Sequence, residues 1–209
     1  MSGKLITFEG PEGAGKTTQI KLLKEYLEKE GLSVITTHEP GGGSKLSQRI
    51  REILLGGEFE NICDEAELLL MLAARVEHVQ KLILPHLRQG MIVLCDRFID
   101  STVAYQGYGR GLPLKSIQMM NQFAICGRYP DLTIVFDIDP ETGLKRAAQK
   151  AGLDRIESAG MEFHTRVREG FEQLALEGGR YFLVDGSRSM DEVHQDILKR
   201  VLEISTDFQ

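Results

Sequence analysis

Gly10-Pro11-Glu12-Gly13-Ala14-Gly15-Lys16-Thr17 satisfies G-x-x-x-x-G-K-[ST] without a gap, and its reading decides the fold. The β-rich run Leu5–Phe8 precedes it. After it comes Thr17–Lys29, where Ile20, Leu23, Tyr26 and Leu27 share one stripe at helical spacing. A glycine-rich turn between strand and helix can aim successive backbone N–H groups at one anion, and the helix adds its positive end. Lys16 offers a mobile charge to the β- and γ-phosphates, and Thr17 a hydroxyl to Mg²⁺. Gly10 to Thr17, together with Thr18, are therefore the expected ATP-binding residues, with Mg²⁺ as the accompanying ion.

Outward from this loop, short β-rich runs recur at Ser33–Thr37, Met91–Cys95, Leu132–Phe136 and Tyr181–Val184. Stretches with helical stripes lie between or after them, at Glu65–Leu87, Leu114–Ile125, Pro140–Lys150, Phe163–Glu177 and Met190–Ile204. Strands that lack polar alternation and alternate with helices predict a mostly parallel five-stranded sheet covered on both faces. The fold class read from this is α/β, a three-layer P-loop NTPase. It is expected as a single domain over 1–209 with a small lid at about 150–160. Ligands in such sheets gather beyond the carboxyl ends of the strands.

A length of 209 residues, with 42% apolar and 27% charged residues, suits a globular chain with a full core. The net charge of −6, with no basic block, argues against a nucleic-acid partner. Cys63, Cys95 and Cys126 have no C-x-x-C spacing, which suggests a reducing compartment, and Cys95 reads as a buried thiol. The N-terminus carries no charged n-region with an apolar h-region. The longest apolar run, Leu68–Ala74, is far below the roughly 20 residues of a membrane span. A cytoplasmic protein with no membrane partner is expected. The five histidines show no metal-ligand spacing and read mostly as solvated helix faces.

Three further features carry chemistry. Asp96-Arg97 closes the Met91–Cys95 strand, where an acid can hold Mg²⁺ or orient an attacking oxygen, and an arginine can take a second phosphate in a bidentate grip. A salt bridge capping the strand is the plainer reading. Glu12, a carboxylate among phosphate-binding amides, reads either as a solvated loop tip or as a partner for a sugar hydroxyl of a second substrate. Arg155, in Asp154-Arg155-Ile156-Glu157 between Gly152 and Gly160, fits a solvated loop, or a lid that brings a cation to a transferring phosphoryl group. No N-K-x-D accompanies the loop, so a guanine switch is excluded. A kinase for a phosphorylated acceptor leads, and a non-catalytic ATP-dependent switch remains.

Four segments together resemble the thymidylate kinases along essentially the whole chain. They are Phe8 to Thr18, Glu39-Pro40-Gly41-Gly42, Asp96-Arg97-Phe98 with Ser101 and Ala104-Tyr105-Gln106-Gly107, and Asp154-Arg155-Ile156-Glu157. The resemblance implies transfer of the γ-phosphoryl group of ATP to thymidine monophosphate, and a homodimer. The alternative is a kinase for another nucleoside monophosphate.

Residue by residue, the resemblance implies that Glu12 meets the deoxyribose while Arg97 and Arg51 hold the acceptor phosphate. It implies that Arg75 bonds the thymine carbonyl, and that Thr102 and Gln106 line the polar edge of the base. Tyr105 crowds the position of a ribose hydroxyl, and Glu39 and Pro40 border the acceptor. The resemblance further implies that Arg146, with the loop Asp185-Gly186-Ser187, lies near adenine, and that Arg155 is the lid arginine of the subgroup whose P-loop has no arginine; Lys16, Asp96, Arg97 and Arg155 are then expected to carry catalysis, and Thr17 and Asp96 to hold the metal. Met71 stands where the family commonly has a phenylalanine stacked on thymine.

Overall fold

A computed structural model describes residues 3–56, 62–151 and 154–205. Five strands, β1 (Lys4–Glu9), β2 (Val34–His38), β3 (Ile92–Asp96), β4 (Leu132–Asp137) and β5 (Tyr181–Asp185), form one sheet in the order β2-β3-β1-β4-β5. Every pairing is parallel, with Leu5 opposite Val93, and Ile6 opposite Leu132. The expected five-stranded α/β sheet is therefore the one formed. The glycine loop after Leu5–Phe8 sits at the carboxyl end of the central strand.

Alternation along the buried strands feeds two apolar layers. Ile6, Phe8, Ile134 and Phe136 pack with Leu23 and Leu27 of α1 (Lys16–Lys29), and with Ile197 and Val201 of α9 (Met190–Ser205). On the opposite face Leu5, Val93 and Cys95 meet Val79, Ile83 and Phe98. Beside them Val135 meets Phe163, Val167 and Phe171 of α8 (Met161–Leu176). Leu5, Ile6, Phe8, Val93, Leu94 and Cys95 have no exposed surface, as an all-parallel sheet between two helical layers requires.

Two stretches differ from the sequence reading. No helix is read over 45–55, yet α2 (Lys45–Leu55) forms there, started by Ser44, whose Oγ accepts the Ser47 N–H at 3.1 Å. Ile50 and Leu54 bury its inner face. The helix read over Glu65–Leu87 is three pieces: α3 (Asp64–His78), a π-helical segment Val79–Ile83, and α4 (Leu84–Arg88). Pro85 lacks the N–H that would bond back to Lys81, and the preceding turn widens, with the Leu84 N–H reaching Val79 O. A second π-helical segment, Val103–Gly109, follows the short α5 (Ile99–Thr102). The remaining helices are α6 (Leu114–Ala124) and α7 (Pro140–Ala151). The lid expected at about 150–160 falls partly on residues 152–153, Gly152 included, which lie outside the described residues.

Candidate active site

The loop after β1 has the backbone its glycines allow. Gly10, Gly13 and Gly15 have φ of +133°, +64° and +95°. A Cβ at Gly13 would stand 2.1 Å from the Gly143 carbonyl oxygen at the start of α7, so the loop and that helix are in backbone contact. Lys16 Nζ donates to Gly10 O at 3.0 Å and to Pro11 O at 2.6 Å, which curls its ammonium back over the loop. Burial, and next the nearby Arg97 charge, lower Lys16 to about 8.

Thr17 Oγ1 donates to Asp96 Oδ2 at 2.8 Å, joining the first turn of α1 to the end of β3. A hydroxyl beside one carboxylate is a hard oxygen pair that fits Mg²⁺, an ion that keeps its other positions for phosphate oxygens and water. Among the described residues no group of three His, Cys, Asp or Glu side chains gathers for an all-protein metal cage.

Arg97 follows Asp96 with φ +65°, a left-handed conformation unusual for a side-chain-bearing residue. Its backbone N–H donates to Phe8 O at 2.9 Å, its Nη1 to Gly10 O at 2.9 Å and Ser101 Oγ at 3.2 Å, and its Nη2 to Glu12 Oε1 at 3.1 Å. Its guanidinium lies 4.9 Å from the Tyr105 ring centre. These bonds hold the strained backbone and aim the cation between the loop and the neighbouring cavity. Glu9 supports the same turn from beneath, accepting from the Phe98 N–H at 2.7 Å and from Ser101 Oγ at 2.5 Å. Burial, then the Asp100 charge, raise Glu9 to about 7.

Glu12 is buried, so the solvated-tip reading does not hold. Its carboxylate accepts from Tyr105 Oη and Arg97 and lies 3.6 Å from His164 Nδ1. Burial works to raise it, and Arg97, Lys16 and the Tyr105 hydroxyl outweigh burial, so Glu12 stays below the usual carboxylate range.

A cavity beside Arg97 is lined by Glu12, Glu39, Pro40, Arg51, Met71, Arg75, Arg97, Thr102, Tyr105 and Gln106, which brings together every acceptor-side residue expected from the sequence. Arg75 is anchored on all sides: Nε to Glu39 Oε2 at 2.7 Å, Nη1 to Thr102 Oγ1 at 2.8 Å and Asn121 Oδ1 at 2.6 Å, Nη2 to Phe98 O at 2.9 Å. Glu39 also pairs with His78 Nδ1 at 2.8 Å, so one of its oxygens meets Arg75 and the other His78. Arg51 Nη1 donates to Pro40 O at 2.8 Å. Near the other side of the loop, Arg146 Nη1 reaches Gly186 O at 3.2 Å and borders a cleft with Ala14, Gly15 and Thr18. Asp185 there accepts from Ser187.

Arg155 is the exception. Its Nε donates to Leu54 O at 2.8 Å and its Nη2 to Glu67 Oε2 at 2.5 Å, so its guanidinium lies against α2 and α3 and not at the loop. The neighbouring Asp154, Ile156 and Glu157 do line the cavity. The histidine reading is corrected as well: His78 and His164 are buried, His78 between Thr37 and Glu39, His164 against Glu157 O and near Glu12.

Sequence reasoning missed Glu67, Arg110, Glu9 and Asn121 as parts of the site. Glu67 had a usable signal, a carboxylate directly abutting the apolar run Leu68–Ala74, which implies buried partners.

A thymidylate kinase family model matches residues 8–197. The chain is 48% identical to the thymidylate kinase of Pelotomaculum thermopropionicum over 98% of its own length and 95% of that protein. It is also 48% identical to the thymidylate kinase of Pseudomonas putida, over 94% of each. The crystal structure of a thymidylate kinase from Ehrlichia chaffeensis superposes with a TM-score of 0.79 at 37% identity, covering 97% of this chain and 99% of that one.

Proposed function

Since the chain belongs to the thymidylate kinase family and phosphorylates thymidine monophosphate with ATP, we propose that the glycine loop takes ATP and the cavity beside Arg75 takes the acceptor. The observation that carries this division is the position of Arg97, tied at once to Gly10 O of the loop and to Glu12 of the cavity wall. A cation there serves the two phosphates that must meet.

The loop N–H groups from Glu12 to Gly15 bind the ATP phosphates, and Lys16 leaves its own loop carbonyls for the γ-phosphate. Arg146 and Thr18 border the adenosine. Thr17 and Asp96 would hold Mg²⁺, which would supply charge neutralisation at the transferring group. Arg97 and Arg51 hold the acceptor phosphate; Glu12 and Tyr105 close the sugar; Met71, Arg75, Thr102 and Gln106 surround the base. Little proton chemistry is required of the protein, and alignment of the acceptor oxygen with the γ-phosphorus supplies most of the acceleration. Arg155 joins once the lid around 150–160 carries it from Glu67 towards that phosphorus.

The chain works in this reading as one domain in the cytoplasm. It pairs as a homodimer through adjacent helices α3 and α6, where Leu69, Met119 and Phe123 are 59%, 65% and 81% exposed. Free thiols at Cys63, Cys95 and Cys126 fit a reducing compartment. Among the described residues no helix is long and apolar enough to cross a membrane.

The test is ADP formation with a panel of nucleoside and deoxynucleoside monophosphates, with thymidine as the unphosphorylated control, before and after chelation of Mg²⁺. Turnover dominated by thymidine monophosphate and abolished by chelation is expected. Equal turnover of the monophosphates would overturn the base assignment, and turnover of thymidine would overturn the phosphate assignment.

A further inference from the structure

We propose that Glu67 sets the base preference of the acceptor cavity by holding the Gln106 carboxamide with its Oε1 turned to the bound base. This rests on the assignment of that cavity to thymidine monophosphate.

Glu67 has no exposed surface, unlike Asp64 and Glu65 in the same first turn of α3. Both its oxygens are filled by donors. Oε1 accepts from Gln106 Nε2 at 2.9 Å and Arg110 Nε at 3.3 Å, and Oε2 from Arg110 Nη2 at 3.1 Å and Arg155 Nη2 at 2.5 Å. Burial alone would raise this carboxyl; the bonds from Gln106, Arg110 and Arg155 outweigh it and keep it low. An ionised carboxylate only accepts. The Gln106 atom in contact with it must therefore be the amide nitrogen, since a flipped amide would press oxygen lone pairs together in a buried site.

The consequence falls on the other end of the amide. Gln106 is 1% exposed and borders the acceptor cavity, and no described residue donates to its Oε1. An acceptor fixed on the cavity wall stands with Arg75, which has used four of its five N–H groups and has one left on Nη2. One donor and one acceptor match a thymine edge, where the O4 acceptor neighbours the N3–H donor. They oppose a cytosine edge, where an N4–H₂ donor neighbours an N3 acceptor. Met71 and the aromatic wall are blind to that difference. In Glu67→Gln the two carboxamides can pair in either sense, so Gln106 can present its NH₂ group to the base and admit cytosine.

Glu67 is thus a positioning residue, and the experiment must separate its action through Gln106 from a general loosening. We would measure kcat/KM for thymidine monophosphate and deoxycytidine monophosphate with wild type, E67Q, Q106M and the double variant. Equilibrium binding of both nucleotides by calorimetry covers the case in which release of Arg155 slows turnover. E67Q is expected to lower the thymidine-to-cytidine ratio by about tenfold or more, the scale of one charge-assisted hydrogen bond. The change should lie in the acceptor KM or Kd and leave the ATP KM in place. In the Q106M background E67Q should leave the ratio unchanged.

An unchanged ratio in E67Q, or an equal fall in the Q106M background, would overturn the role of Glu67 while leaving the kinase assignment intact. A wild type without thymidine preference would instead refute the cavity assignment. Should E67Q fail to fold, ¹⁵N side-chain spectra of the wild type decide. The Gln106 Nε2 protons should stay protected from exchange when thymidine monophosphate binds, and contact between those protons and the base would overturn the proposal.

Discussion

Replacing Tyr105 with phenylalanine removes a single oxygen from the centre of the site. The ring stays: it packs edge-on against Phe163 and Phe171 at 6.1 and 6.0 Å between centres, beneath the Arg97 guanidinium. What is lost is the hydrogen bond from Tyr105 Oη to the buried Glu12 carboxylate. A hydrogen bond to a charged group contributes about 1.5–3 kcal/mol. For a chain of this size the loss corresponds to a fall in Tm of roughly 3–12 °C. Scanning calorimetry of wild type and Y105F at pH 7 measures it directly.

The pH dependence sharpens the test. Glu12 is held below its ordinary value of 4.5, so its stabilising contribution is complete above that pH and is lost as pH falls through the depressed folded-state value. The gap between wild type and Y105F should therefore be constant from pH 8 to about 5 and close below that. A Tm unchanged within 1 °C at pH 7, or a gap that widens in acid, would refute an ionised Glu12 held by Tyr105.

Arg155→Ala should lower kcat by at least about 10²-fold while the Kd for ATP changes little, since the cation serves the transferring group and not the bound nucleotide; single-turnover kinetics with ATP titration separates the two. Gly13→Ala places a Cβ against the Gly143 carbonyl at a φ of +64°, and should cost about 1–3 kcal/mol in urea unfolding and abolish ATP binding. Glu9→Gln probes the group raised to about 7: the folded state keeps a proton that the unfolded state releases near 4.5, so this contribution is full in acid and lost as pH rises through 7. Wild-type stability should fall between pH 5 and 8 relative to E9Q, and parallel curves would contradict the buried carboxyl. Phe123→Asp, on the most exposed ring of α6, should convert a dimer to a monomer in sedimentation at micromolar concentration, and a monomeric wild type would remove the dimer.

How much of the site was legible depended on where each residue finds its partners. Arg75, Arg97, Tyr105 and Gln106 could be placed at the acceptor because they stand in recognisable segments, and the fold does gather them at one cavity. Their binding partners could not be read. Arg75 meets Glu39, 36 positions away, and Tyr105 meets Glu12, 93 positions away. Nothing local specifies such pairs, so neither the ion pair of Glu39 with Arg75 nor the contact of Arg155 with Glu67 can be read from the sequence. The helix over 45–55 escaped for a different reason: its start is a single serine, and its buried face is only Ile50 and Leu54 with Ser47.

The sequence by itself determined the parallel sheet and the phosphate loop, because both follow from interactions within a segment. Burial of an unbroken apolar strand, the φ freedom of Gly10, Gly13 and Gly15, and the stripe of the following helix are written in neighbouring residues. Only the tertiary structure decided the electrostatic state of the site. It sank Glu9, Glu12, Glu39 and Glu67 beneath the cleft and brought each its donors from distant elements. Carboxylates left in water would have carried the same letters and none of the same constraints, since removal from solvent is what makes one hydrogen-bond partner obligatory and fixes its orientation.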